Sequence, residues 1–169
     1  NDPSSRSLHA NWEENRYING VNWEEEGRSC IGANTQLIRL KLDIREMFVG
    51  NANRYQIGNP GVKENFEAFC RGVARNRSIK RLDISMCRCM PKVMEILFPF
   101  FVHNPSLTQI VFEHCSMDDS KTAQLLAHAL SKRCNMSSMK RVELVACKIS
   151  EEVSGQLISA LKSHTNLVQ

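Results

Sequence analysis

The chain of 169 residues is long enough to bury one hydrophobic core or to form one continuous array of repeats. Its content of 42% hydrophobic and 24% charged residues is ordinary for a globular protein, and no apolar run approaches the roughly 20 residues that a transmembrane helix needs. The net charge is +4, from 22 basic and 18 acidic residues. These properties exclude a membrane-spanning protein, and so mild a basic bias is weak support for a nucleic-acid partner.

The seven cysteines are an odd number spread along the chain, whereas a secreted disulfide framework has an even set in a shorter chain. The opening residues, Asn1 to Arg6, also lack the apolar stretch of a secretory signal. We therefore predict reduced thiols and a cytoplasmic or nuclear location.

The first 33 residues are the least regular part of the chain. In one interpretation, the segment from Tyr17 to Gly27 is a degenerate repeat, and Trp12 and Trp23 cover the open end of a core as a capping unit does. A partly disordered leader is the alternative, and the sequence leaves both open.

From residue 34 onwards, four segments superpose without gaps on the form apolar-x-x-apolar-x-apolar. They begin at Leu37, Ile79, Leu107 and Met139. In three of them a cysteine follows the last apolar residue by three positions, which extends the pattern to L-x-x-L-x-L-x-x-C-x-L. These cysteines are Cys87, Cys115 and Cys147. Such a period, repeated over the chain, indicates an array of similar units that each contribute one strand.

Apolar residues at helical spacing follow each strand, so we predict a helix between successive strands and a parallel sheet with right-handed crossovers. Cap signals precede two of these helices, Asp118-Asp119-Ser120 and Ser150-Glu151-Glu152. The predicted apolar faces are Val62, Phe66, Phe69, Cys70 and Val73; Val93, Met94, Ile96, Leu97 and Phe101; Ala123, Leu126, Ala127 and Leu130; and Val153, Leu157, Ile158 and Leu161.

Two departures from the repeat stand out. Residues 48–61 form a predicted loop insertion rich in glycine, which is either a ligand-contacting loop or a tolerated surface insertion. The final residues, Asn166 to Gln169, match the opening of a fifth copy. We therefore expect a larger parent chain that continues beyond residue 169.

The pattern that carries Cys87, Cys115 and Cys147 resembles the ribonuclease-inhibitor-like leucine-rich repeats, and the resemblance covers residues 37–169. It implies an α/β fold, a leucine-rich-repeat solenoid (a horseshoe fragment) with a concave parallel β-sheet and convex α-helices, in about four to five repeats. Residues 34–169 would form this domain, truncated at its C-terminal end. The family further implies a protein partner on the concave face and no catalysis. Its repeats also occur in receptors, ligase adaptors and GTPase regulators, so a regulatory segment of a larger multidomain protein is an alternative.

Side chains that alternate with the apolar strand residues point to the open side of the sheet. They form three predicted columns with mixed charge, in which we expect Lys41 and Asp83 to pair across strands. The set is either a protein-binding strip or a group of charges that only satisfy one another. The candidate partner-binding residues are Arg39, Lys41, Asp43, Arg81, Asp83, Ser85, Gln109, Val111, Glu113, Arg141, Glu143 and Val145.

Other chemistries are less well supported. Cys87, Cys89, His114 and Cys115 are zinc-ligand types, but the repeat dictates their spacing, and we predict that the cysteines are core residues bonded to backbone amides. No catalytic, metal or cofactor motif occurs, so we predict that the protein is not an enzyme. A basic cluster makes binding of nucleic acid or another acidic surface the weaker alternative, because carboxylates share the candidate face and no aromatic residue projects from it. That cluster is Arg71, Arg75, Arg77, Lys80 and Arg81.

Overall fold

A computed structural model describes residues 7–11, 33–44, 60–87, 90–130 and 138–163. Strands and helices alternate along the chain, as the repeat predicts. The elements are β1 (Ser7–Asn11), β2 (Arg39–Asp43), α1 (Pro60–Arg75), β3 (Arg81–Ser85), α2 (Met90–His103), β4 (Gln109–Glu113), β5 (Ser116–Met117), α3 (Ser120–Leu130), β6 (Arg141–Val145), β7 (Lys148–Ile149) and α4 (Glu151–Ser163).

Five strands form one parallel sheet in the order β1-β2-β3-β4-β6. The short strands β5 and β7 pair in a second, two-stranded parallel sheet. Neighbouring strands follow one another in sequence with a helix between most of them, and this is the topology expected of repeated strand–helix units. The prediction of an α/β fold with a parallel sheet is confirmed.

One hydrophobic core lies between the sheet and the helices. Leu40 and Leu42 of β2 are buried in it, as are the residues that their register aligns in β3 and β4. Helices contribute Phe66 and Phe69 of α1 and Phe101 of α2 to the same core, and each helix packs against its neighbours in the chain. Fully burying each large side chain contributes about 1.5–3 kcal/mol, so the aligned apolar positions hold successive units together.

The first strand extends the sheet beyond the segment in which the repeat was recognised. Residues Ser7 to Asn11 pair in parallel with β2, so that Leu8 aligns with Leu40 and Ala10 with Leu42. Only these two positions carry the apolar part of the motif, which is why the pattern did not predict a strand here. The predicted degenerate repeat from Tyr17 to Gly27 lies outside the described residues, and the domain assignment of residues 1–33 stays a prediction.

Both predicted cap signals cap a helix. Asp119 Oδ1 accepts hydrogen bonds from the amides of Lys121 and Thr122, at 2.9 and 3.3 Å, at the start of α3. Ser150 Oγ accepts one from the amide of Val153 at 3.3 Å at the start of α4. These bonds satisfy amide groups that have no partner within their helix.

One predicted boundary and one predicted core residue are wrong. Pro60 and Gly61, assigned to the loop insertion, are the first residues of α1, because a proline is well suited to the first helical position. Residues 48–59 of the insertion lie outside the described residues. Ile158, predicted on the apolar face of α4, is 48% exposed, since α4 packs against one described helix, α3. Within the described residues, no helix combines the length and apolar character needed to cross a membrane.

Two ladders of polar side chains that the sequence analysis missed join the starts of successive strands. Ser78, Ser106 and Ser138 each donate a hydrogen bond to a backbone carbonyl of the preceding unit, at 2.8–2.9 Å. Alongside them, Asn104 Nδ2 donates to the carbonyl of Asn76 at 2.8 Å, and Asn76 Nδ2 donates to that of Asn34 at 2.7 Å. These bonds fix the register from unit to unit. The spacing Asn-x-Ser-apolar, which begins at Asn76 and again at Asn104, was the signal that could have revealed them in two of the units.

Candidate protein-binding face

The side of the sheet opposite the helices is called here the open face. The strand register arranges its predicted residues in three columns across β2, β3, β4 and β6. The columns are Arg39, Arg81, Gln109 and Arg141; Lys41, Asp83, Val111 and Glu143; and Asp43, Ser85, Glu113 and Val145. In β1, the register adds Ser7, His9 and Asn11 to the same columns. All twelve predicted residues therefore lie together, as the alternation of strand side chains requires.

The charges of the open face are paired in a different way from that predicted. Asp83 does not pair with Lys41; its carboxylate accepts hydrogen bonds from Arg81 Nε, at 2.7 Å, and from Arg39 Nε. Lys41 instead approaches Glu113, two strands away, with 3.9 Å between Nζ and Oε2. The arginines bind Asp83 in preference to Lys41 because a guanidinium group offers several directed donors to one carboxylate, whereas an ammonium group is a point charge.

A second polar group occupies the other end of the face. Arg141 Nε lies 2.8 Å from Glu143 Oε1, and Gln109 Nε2 donates a hydrogen bond to the same oxygen. Arg141 is 66% exposed, so this pair is well solvated and contributes little to stability. It leaves the guanidinium group accessible to a partner.

Three residues of the predicted strip are much less accessible than expected. The side chains of Asp83, Ser85 and Val111 are 3–5% exposed. They lie in the middle of the sheet with longer side chains on the flanking strands, and Arg39 and Arg81 both reach Asp83. These three residues are therefore covered by their neighbours, and the groups of the open face that a partner can reach are the longer side chains around them.

A further column, which consists of Ile44, Met86, His114 and Ala146, directly follows the strands, and its last three residues have an unusual backbone. Met86, His114 and Ala146 adopt left-handed conformations with φ of 59°, 52° and 49°. Residues other than glycine rarely adopt this conformation. The amides of Met86 and His114 donate to carbonyls of the next unit, at 2.9 Å each, which holds the turn in place. Ile44, at the head of this column, is buried in the core instead.

The cysteines that follow this column are part of the core, as predicted for Cys87 and Cys115. The thiols of Cys115 and Cys147 also donate to backbone carbonyls, an interaction that the prediction did not include. Cys115 Sγ lies 3.5 Å from the carbonyl of Ile84, and Cys147 Sγ lies 3.3 Å from that of Phe112. Each thiol therefore bonds to the backbone of the preceding unit.

Cys115 and Cys147 differ in their acidity. The neighbouring Cys147 thiol and burial together raise the pKa of the Cys115 thiol. A hydrogen bond from Cys115, which outweighs partial burial, lowers the pKa of the Cys147 thiol to about 7. Cys70, on the core side of α1, has its pKa raised by burial.

The described residues contain no group of three or more histidine, cysteine, aspartate or glutamate side chains that could hold a metal ion. His114 is exposed while Cys87 and Cys115 point into the core; Cys89 lies outside the described residues.

A shallow depression of about 830 Å³ lies on the helical side, between α3 and α4. Its polar lining consists of Gln124, Glu151, Glu152, Gln156 and Ser159, with no cysteine, histidine or lysine.

The start of the sheet carries cations that alternation does not place on the open face. The residues just before the strands, Ile38, Lys80, Thr108 and Lys140, are stacked through backbone hydrogen bonds of 2.8–2.9 Å from each amide to the preceding carbonyl. Lys80 and Lys140 are both exposed. They lie beside the arginine column, and together these cations are called here the strand-start edge. It consists of Arg39, Lys80, Arg81, Lys140 and Arg141.

Among solved structures, the chain is similar to the tropomodulin C-terminal domain from Caenorhabditis elegans, with a TM-score of 0.59. The sequences are 13% identical, and the alignment covers 86% of this chain and 77% of that one. At this identity the likeness shows the fold alone, an α/β fold of the leucine-rich-repeat type. No protein-family model and no curated protein matches the sequence.

Proposed function

We propose that the protein is a non-catalytic interaction module that binds a partner protein on the open face of its sheet. The observation that carries the proposal is the alignment of mixed-charge columns on the side of the sheet opposite the helices. A rigid parallel sheet holds these groups at fixed spacings of about 4.8 Å, so recognition needs little ordering of the protein.

A more specific version of the proposal makes three points about the fold, the open face and the parent protein. In it the fold is a ribonuclease-inhibitor-like solenoid, the open face is the concave side of a horseshoe, and the module belongs to a larger cytoplasmic or nuclear protein. The resemblance of the Cys87, Cys115 and Cys147 repeats supports the first two points. No two of the described cysteines form a disulfide with each other, which agrees with a reducing compartment.

In this proposal, the exposed residues of the open face contact the partner, and the buried ones hold the exposed residues in position. Arg39, Lys41, Glu113 and Arg141 retain exposed side-chain surface, and Val145 is 43% exposed. Arginine is enriched in protein interfaces and at their energetic centres. Asp83, Ser85 and Val111 support these groups from below and contribute by holding them in position.

Affinity capture with quantitative mass spectrometry, from an extract of the native cells, tests the proposal. The bait is the intact chain, compared with the double variant K41E/R141E and with the control K92E/K162E, which makes the same charge change on exposed helical lysines. Arg81 is left intact because Asp83 depends on it. Proteins captured by the native chain and the control, but not by K41E/R141E, support the proposal. Equal capture by all three contradicts it.

A further inference from the structure

We infer that the strand-start edge (Arg39, Lys80, Arg81, Lys140 and Arg141) binds an acidic peptide segment of the partner. The inference rests on the proposed function, because it assigns a partner chemistry to one border of the same face. It also gives a role to Lys80 and Lys140, which are exposed and lie outside the columns of the open face.

The strand-start edge has more positive than negative charge within reach. Arg39 and Arg81 share a single carboxylate, that of Asp83, so one of their two charges is left uncompensated. Lys80 and Lys140 are exposed and form no ion pair with a described residue. Since the far border of the face carries Asp43 and Glu113 at the strand ends, charge changes sign along the strands. A partner with carboxylates at one end of its contact matches this order.

Carboxylates fit this edge better than the phosphates of a nucleic acid. A nucleic-acid strand crossing the sheet would meet Asp83 and Glu143, the third residues of β3 and β6, and Glu113 at the end of β4. Strands of nucleic acid also bind through bases stacked on aromatic side chains, and no aromatic residue occupies the three columns between β2 and β6. A short acidic peptide can follow the cationic border alone.

The spacing of the free cations suits an extended peptide. Lys80 and Lys140 precede β3 and β6, which β4 separates, so their backbones are two strand spacings apart, about 10 Å. In a polyproline II segment, residues three apart lie on the same side at about 9.3 Å. Glutamates at every third position can therefore face both lysines, with Arg81 and Arg141 beside them providing further donors.

Fluorescence anisotropy with a labelled (Glu-Pro-Pro)4 peptide tests this inference on the intact chain at low salt. We expect K80E/K140E to bind at least about tenfold more weakly than the native chain, because each reversal replaces an attraction by a repulsion. The milder variant K80Q/K140Q should lose less, and K92E/K162E should stay within about threefold of the native chain. Circular dichroism confirms that each variant is folded.

The inference would be overturned by no binding of the peptide by the native chain, by equal loss in K80E/K140E and K92E/K162E, or by tighter binding of a twelve-nucleotide thymidine strand than of the peptide. The matching (Gln-Pro-Pro)4 peptide must bind at least about tenfold more weakly than the glutamate peptide. Equal binding of the two also overturns the inference. None of these results touches the capture experiment on K41E/R141E, so the proposed function can fail or stand separately.

Discussion

Asp83, whose side chain is almost entirely buried, accepts a hydrogen bond from Arg81 Nε at 2.7 Å within the same strand. The second carboxylate oxygen accepts from Arg39 on the neighbouring strand. A buried carboxylate is costly to remove from water unless donors replace the lost solvation, and here two partly exposed guanidinium groups do so. The group is therefore asymmetric: the carboxylate depends on the arginines more than they depend on it.

Removing the arginines and removing the carboxylate should therefore have different effects on stability. We expect R39A/R81A to lower the free energy of unfolding by about 3 kcal/mol, because the buried Asp83 side chain loses both donors that replace its hydration. In contrast, D83V should change it by no more than about 1 kcal/mol, since the aligned position in β4 already holds the buried Val111. Urea denaturation measures both. Adding D83V to R39A/R81A should restore most of the loss, and a further loss in that triple variant would refute the explanation.

The asparagine ladder predicts a large loss from one polar substitution. Asn104 is buried and donates to the carbonyls of Val73 and Asn76, while its Oδ1 accepts from the amides of Ser106 and Leu107. N104A leaves these groups without their partners, at about 1–3 kcal/mol for each one that stays buried. We expect unfolding by urea to show a loss of about 3 kcal/mol.

The matched control for N104A is N34A in the first ladder position. Asn34 is exposed, and its Oδ1 accepts from the amides of Gln36 and Leu37 within the same turn, the first bond exposed and the second partly buried. The loss should therefore be below about 1 kcal/mol. If the two substitutions cost the same, the ladder does not hold successive units together in the way we describe.

The parallel sheet, its register and the columns of the open face could be predicted from the sequence, because each repeated apolar position is set by burial. Which charges pair could not, since Lys41 and the arginines compete for Asp83 and side-chain reach decides the outcome. The sequence did not predict the strand-start edge as a whole, because its grouping also depends on three-dimensional neighbours. Lys80 and Lys140 share a repeat position, but backbone bonding at the strand starts, not alternation, brings them beside the arginines.

The left-handed residues predict that one glycine substitution stabilises the protein. Ala146 has φ of 49°, a conformation that costs a residue with a Cβ about 1–2 kcal/mol. A146G removes this cost and adds a smaller loss of chain entropy, so we expect a gain of about 0.5–1 kcal/mol in thermal or urea unfolding. The control A127G, within α3, should lose about 1 kcal/mol. A loss in both variants would show that the turn after β6 is not strained.

Cys147 is the thiol among the described cysteines that we expect to react first. It is half-buried, and the hydrogen bond from Cys115 lowers its pKa to about 7, whereas Cys70 and Cys115 are buried and their pKa values are raised. Only the thiolate attacks an alkylating agent, so the alkylation rate at Cys147 should rise with pH, reach half of its maximum near pH 7 and level off at higher pH.

Peptide mapping after short pulses of iodoacetamide between pH 5.5 and 9 measures the alkylation rate at each cysteine. In C115A the hydrogen bond is absent, so the half-maximum should move to higher pH. A profile that C115A leaves unchanged would mean that Cys115 does not set the acidity of Cys147, and labelling of Cys70 at the same rate would mean that local opening, not acidity, controls access.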